Sequence, residues 1–143
     1  MCMIKKAPIE LKRYFFPLVH VAADPQYEPG KGQDKVNFDV RTAIARDEQN
    51  DLFQVTVEIV AEPENEESLI PYSIQLIGVG LFTVNKDWKE PEKLLRINGA
   101  SMIYSAAREF LITITSRGPW PPVILPTISF CEEESSKTSG DNK

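Results

Sequence analysis

The stretch from Asn98 to Phe130, NGASMIYSAAREFLITITSRGPWPPVILPTISF, constrains the fold more than any other part of the chain. Ile103, Ala107, Phe110 and Ile114 recur at i, i+4, i+7 and i+11. That spacing forms one stripe of an amphipathic helix, which must face a core or a partner helix. Asn98 is placed to cap the first turn through its side-chain oxygen. At the other end, Arg117-Gly118-Pro119 stops the helix: the glycine suits a left-handed position past the last turn, and the proline forbids continuation. The run Ile112 to Thr115 is wholly β-branched, and such side chains lose rotamer freedom in a helix. The stripe continues through it all the same, so the helix is expected to reach about Ser116. Trp120 to Phe130 is apolar, punctuated by prolines and therefore extended.

The chain before this helix reads as strands. Val36, Phe38, Val40 and Ile44 alternate with Asn37, Asp39 and Arg41, the period of a half-buried antiparallel strand. RDEQND at 46–51 makes a charged turn, after which Phe53, Val55, Val57, Ile59 and Ala61 repeat the pattern. A turn at Pro63 to Ser68 follows, because Pro63 cannot extend a ladder. From Leu69 to Val84, Ile70, Tyr72, Ile74 and Leu76 share one face. Gly78 and Gly80 then fall on that face and predict a bulge or the close approach of another backbone. Ile9 to Ala23 is apolar on both faces and carries Pro17, which fits a kinked edge strand. The linker DPQYEPGKGQDK at 24–35 is long enough for a crossover rather than a hairpin. No internal repeat is present.

Four strands followed by a helix predict an α+β domain over residues 1–130, a four-stranded antiparallel sheet with a long helix on one face. Residues 131–143 are polar without an apolar period and are expected to form a disordered tail. At 143 residues, with 42% hydrophobic and 26% charged residues, the chain has the composition of one ordinary soluble domain. A net charge of −5 without a basic stripe argues against nucleic acid as a partner. No apolar run approaches the roughly 20 residues of a membrane span. Lys5 and Lys6 lead into Glu10, Lys12 and Arg13 rather than a signal peptide's apolar core. Cys2 and Cys131 stand at opposite ends, which implies no disulfide framework and fits a reducing cytoplasm.

Catalysis needs converging titratable groups, and this sequence offers His20 alone on a strand, with neither cysteine close to it in sequence. Gly30 and Gly32 lack phosphate-loop or dinucleotide spacing, and no cluster has metal-ligand spacing. The expectation is a protein that is not an enzyme and carries no cofactor. One helix covers only part of a four-stranded sheet, so the surplus apolar surface predicts an oligomer. Ala100, Ser101, Ser105, Ala106 and Ala107 would let a second helix approach closely; the same residues could equally pack on the chain's own sheet.

The run Tyr104-Ser105-Ala106-Ala107-Arg108-Glu109, then Thr115-Ser116-Arg117-Gly118, Trp120-Pro121 and the Leu125-Pro126-x-x-x-Phe130 ending resembles the SecB family of bacterial export chaperones. The strand order and Gly78-Val79-Gly80-Leu81-Phe82 are similar to that family as well. The resemblance spans about residues 9–130, with its specific part at 104–130. It implies a tetramer built as a dimer of dimers through the long helices, with Ser101, Ser105, Ala106, Arg108 and Ile112 at the interface. It also implies ATP-independent binding of unfolded client polypeptides in apolar grooves, through Tyr14, Phe16, Leu18, Tyr27, Trp120, Val123 and Leu125. Exposed apolar surface of that extent is normally a liability, and is retained where it is the binding surface.

Where the family continues into a second, aromatic-rich helix, this chain has Glu132-Glu133-Glu134 and a polar tail. The family meets the translocation motor SecA through acidic residues on the outer sheet face and an acidic tail. Here Gln75 stands where a glutamate is expected, and the first strand carries Lys12, Arg13 and His20. An aromatic expected just before the second strand is missing around Gly32 to Lys35. A chaperone dedicated to one client, such as a toxin–antitoxin pair, is therefore as well supported as an export chaperone. A structural or adaptor module acting on a folded partner is the alternative.

Overall fold

The computed structural model describes residues 3–30, 36–65 and 68–131. Its elements run β1 (Ile9–Ala23), β2 (Asp39–Asp47), β3 (Leu52–Ala61), β4 (Tyr72–Val84), a short α1 (Pro91–Leu94), a π-helical turn (Leu95–Gly99) and α2 (Ala100–Thr115). The strands form one antiparallel sheet in the order β1-β4-β3-β2. β2, β3 and β4 are a meander, whereas β1 lies against β4 at the other edge, so the linker after β1 must cross the whole sheet. The α+β architecture expected from the sequence is the one found. The polar tail from residue 132 onward, Cys2, and Gly32 with its neighbours lie outside the described residues.

Alternation builds the sheet. Phe53, Val55, Val57, Ile59 and Ala61 of β3 are buried, as are Tyr72, Ile74, Leu76 and Phe82 of β4. The connection between β2 and β3 is set by Asp47, whose carboxylate accepts the backbone N–H groups of Gln49 (3.1 Å) and Asn50 (3.3 Å) and the Asn50 side-chain amide (2.7 Å). The Asn50 side-chain bond is the largest cause holding the Asp47 carboxyl below its ordinary range. β2 begins at Asp39, three residues later than the alternation suggested, with Phe38 just before it. β1 is the kinked edge strand expected. Its register with β4 slips between Leu11 and Arg13 and again between Phe15 and Leu18, leaving one unmatched residue each time. Pro17 falls in the second slip, where no ladder donor is needed.

The helix starts earlier and turns slightly from the predicted stripe. Pro91 occupies the first turn, where its missing N–H is no loss. Asn98 therefore sits inside the π-helical turn and caps nothing. The buried residues of α2 are Ala100, Ile103, Tyr104, Ala107, Leu111 and Thr115, while Phe110 and Ile114 lie on the half-buried flank. Phe110 is held there by β1, its ring stacked on Phe16 at 4.6 Å and 6°. Thr115 can be buried because its hydroxyl donates to the Leu111 carbonyl (2.7 Å) and accepts the Val123 N–H (2.8 Å).

What approaches Gly78 and Gly80 is a side chain of the helix, not a backbone. A Cβ at Gly80 would lie 2.5 Å from Ile103 Cδ1 and 2.8 Å from Phe82 Cε1; one at Gly78 would lie 2.9 Å from Ile103 Cγ2. Gly80→Ala is thus expected to overpack the helix–sheet seam and lower stability by about 1–3 kcal/mol. A urea-denaturation midpoint unchanged from the parent protein would contradict this packing.

Candidate apolar binding cleft

Residues 116–131 have no regular structure, yet side chains fix them at several points. The Gly118 N–H donates to the Thr115 carbonyl (3.1 Å), closing the helix with a further turn. Gly118 does not take the left-handed conformation the sequence suggested. Glycine is required because a Cβ there would collide with the Tyr72 hydroxyl. That hydroxyl, on a side chain 3% exposed, faces the carbonyls of Thr115 (3.3 Å) and Trp120 (3.4 Å) and accepts the Trp120 N–H (3.2 Å). Farther on, Leu125 enters the core, and the Tyr104 hydroxyl donates to the Pro126 carbonyl. Burial pushes the Tyr104 phenol above its ordinary pKa, opposed by the nearby Arg108 charge. Phe130 packs edge-on against Tyr104 at 5.8 Å.

The crossover loop is pinned to this segment. Asp24 donates its N–H to the Pro71 carbonyl (3.0 Å), its carboxylate accepts the Gln26 N–H (2.9 Å), and its carbonyl accepts the Tyr27 N–H (3.2 Å). The same carbonyl accepts the Trp120 indole N–H at 3.0 Å, and the Trp120 and Tyr27 rings meet edge-on at 5.3 Å. Between loop and segment lies an open cleft of about 400 Å³. Tyr27, Val36 and Phe38 line it from the crossover side, Pro121, Pro122, Val123, Ile124 and Pro126 from the C-terminal segment, with Pro71 completing it. Ile124 is 63% exposed. No titratable acid or base except the Tyr27 phenol lines this space, so its side chains offer apolar contact, on the order of 1.5–3 kcal/mol for each large aliphatic or aromatic side chain fully buried there, beside exposed backbone polar groups.

The seven residues expected to bind polypeptide are not gathered in one place. Tyr27 and Val123 line the cleft, with Tyr27 only 9% exposed, while Trp120 meets Tyr27 edge-on and is not itself part of the lining. Leu125 is 1% exposed and anchors the segment in the core instead of facing outward. Tyr14, 49% exposed, lies on the helix-facing side of β1, edge-on to Phe16 at 6.0 Å. Leu18 is opposite Ile77 on the outer sheet face, beside His20 and Gln75 in a broad depression. Of the five residues expected between subunits, Ser101, Ser105 and Ala106 line a second shallow recess of about 390 Å³ with Leu11, Tyr14 and Met102. Arg108 and Ile112 are half-buried along the same helix. Sequence reasoning passed over Val36, Phe38, Pro121, Pro122 and Ile124 as cleft residues, and Tyr72 and Thr115 as the groups that hold it. The alternation before β2 and the exposed Ile124 among prolines were the available signals.

Among the described residues no group of three or more His, Cys, Asp or Glu side chains could hold a metal ion, and no helix is long and apolar enough to cross a membrane. On the outer face Gln75 donates to Glu58 (3.3 Å). The fold is α+β, one open sheet with one long helix, and the crossover side and the C-terminal segment leave a cleft between them. Residues 19–133 match the family described as Preprotein translocase subunit SecB, and the chain belongs to that family. No curated protein matches it by sequence. Among solved structures it is similar to the SecB-like chaperone Rv1957 of Mycobacterium tuberculosis, solved in complex with a ChAD peptide from the antitoxin HigA1 (Rv1956). That likeness has a TM-score of 0.67 at 17% identity and covers 85% of this chain and 91% of that one. A protein of unknown function from Streptococcus agalactiae is similar with a TM-score of 0.47 at 16% identity, over 83% of this chain and 97% of that one.

The two neighbours Ile124 and Leu125 should separate surface from anchor. Leu125→Ala is expected to lower stability by about 2–5 kcal/mol, and Ile124→Ser to change it by no more than about 0.5 kcal/mol. Equal losses for both in chemical denaturation would mean that the segment is not seated as described.

Proposed function

We propose that this protein is an ATP-independent holdase that binds unfolded or partly folded polypeptides, with the cleft between crossover loop and C-terminal segment as its principal contact surface. The observation that carries the reading is the composition of that cleft: open, lined by apolar side chains, and walled on one side by the same Trp120-to-Phe130 segment that carries the family resemblance. Membership of the SecB family supports it, as does the antitoxin peptide bound to the Mycobacterium tuberculosis relative. On the outer sheet face Leu18 extends the contact along β1, where an extended client also meets an unpaired strand edge, while Tyr14 and Phe16 face the helix and fall to the assembly.

A dedicated client fits this chain better than general export. Gln75 and its Glu58 partner give the outer face a neutral amide where an export chaperone would present an added carboxylate to SecA. SecA binding is accordingly proposed to be weak. The adaptor reading draws on the burial of Leu125 and Tyr27, which leaves less open surface than seven exposed contacts would. A pull-down returning one folded partner and no unfolded chains would favour it.

Assembly is part of the proposal. Met102 (41% exposed) and Tyr14 stand out beside Ser101, Ser105 and Ala106, small residues over which a second helix can close. A tetramer built as a dimer of dimers, working in the cytoplasm, is the arrangement proposed.

Two measurements test these statements. Dilution of a chemically denatured, aggregation-prone protein into a several-fold excess of this one is expected to suppress light scattering, and Ile124→Asp to weaken that suppression without unfolding the chain. Absence of suppression by the parent protein rejects the holdase reading. Size-exclusion chromatography with multi-angle light scattering is expected to give four chains per particle, and Met102→Glu to shift it to smaller species; a monomeric parent protein rejects the assembly.

A further inference from the structure

The cleft is walled by two chain segments far apart in sequence, the crossover loop and the stretch after the helix. One hydroxyl controls how they meet. Tyr72, the first residue of β4, reaches the turn after α2 and holds the Trp120 backbone from both sides, N–H at 3.2 Å and carbonyl at 3.4 Å. Its hydrogen is shared between that carbonyl and the Thr115 carbonyl at 3.3 Å. Trp120 then passes the constraint on. Its indole N–H fixes Asp24 in the crossover loop, its ring meets Tyr27, and residues 121–124 leave its backbone directly to form the opposite flank. Gly118 leaves room for the phenol, and Thr115 ties Val123 down from the helix.

We propose that Tyr72, which touches no client, is a positioning residue for client binding, its hydroxyl setting the separation of the two cleft flanks through Trp120. This rests on the holdase reading above. The core has no need of the hydroxyl itself: the ring supplies the apolar packing, and a phenylalanine would supply the same. The oxygen serves only the Trp120 turn and the last helical carbonyl.

The test compares three full-length variants: Tyr72→Phe, Thr115→Val and, as a core control remote from the turn, Val57→Ala. Binding is read by fluorescence anisotropy with labelled, reduced and carboxymethylated α-lactalbumin, a permanently unfolded chain, and hydrogen exchange is followed at the Trp120 and Val123 amides. Tyr72→Phe is expected to weaken binding about 3- to 10-fold, the range that loss of such hydrogen bonds gives, and to release the Trp120 amide to exchange. Thr115→Val should do the same at Val123, and it carries the test if Tyr72→Phe does not fold. Val57→Ala should lower the denaturation midpoint and leave affinity unchanged. Parent-like affinity in Tyr72→Phe, or an equal loss in Val57→Ala, overturns the assignment while the holdase reading stands. A parent protein that binds no unfolded chain overturns the holdase reading and this inference with it.

Discussion

Ile103 lies against β4 where Gly78 and Gly80 present no side chains, and the rest of the molecule is arranged around that contact. Without a Cβ at either position, the helix settles close enough for Ala100, Ala107 and Leu111 to close over β3 and β4. A single helix placed so near the two central strands cannot also cover the outer ones. β1 and β2 therefore keep half-buried faces, and the crossover loop and C-terminal segment come in along the flanks to cover part of what remains. The cleft is what that partial covering leaves open.

The strands were legible because a period of two is hard to produce by any other structure, and Val40, Val57 and Ile74 each stand where that period puts them. The crossover was legible from its length and its prolines and glycines. The helix start was not. Asn98 has the chemistry of a cap, but Pro91-Glu92-Lys93-Leu94 is itself a good first turn, and a proline at its head outweighs an asparagine seven residues on. The helix face was read one row off, because Phe110 and Ile114 look like core while Thr115 does not. Burial followed satisfaction of the threonine hydroxyl, which depends on Val123 and is invisible to a pattern of apolar residues.

The cleft was legible only in part, for a related reason. Tyr27, Trp120 and Val123 announce themselves as apolar residues in irregular chain, and they do converge. Leu125 has the same signature and goes inward, because Tyr104 draws the Pro126 carbonyl toward the helix and carries its neighbour with it. Tyr14 and Leu18, four residues apart on one strand, lie on opposite faces because the slip near Pro17 changes the alternation between them. Gly118 gave the right residue type for the wrong cause: its place is set by a tyrosine 46 positions earlier, not by its own backbone torsion.

The two slips in β1 have a bearing on how such a chain survives its own company. A flat, unbroken outer strand with Phe15, Leu18 and Val19 along it would be a template on which copies could stack without limit. An unmatched residue after Leu11 and another beside Pro17 bend that rim and interrupt its row of donors and acceptors. The rim keeps its apolar residues in short stretches, and its irregularity denies copies a continuous template on which to stack.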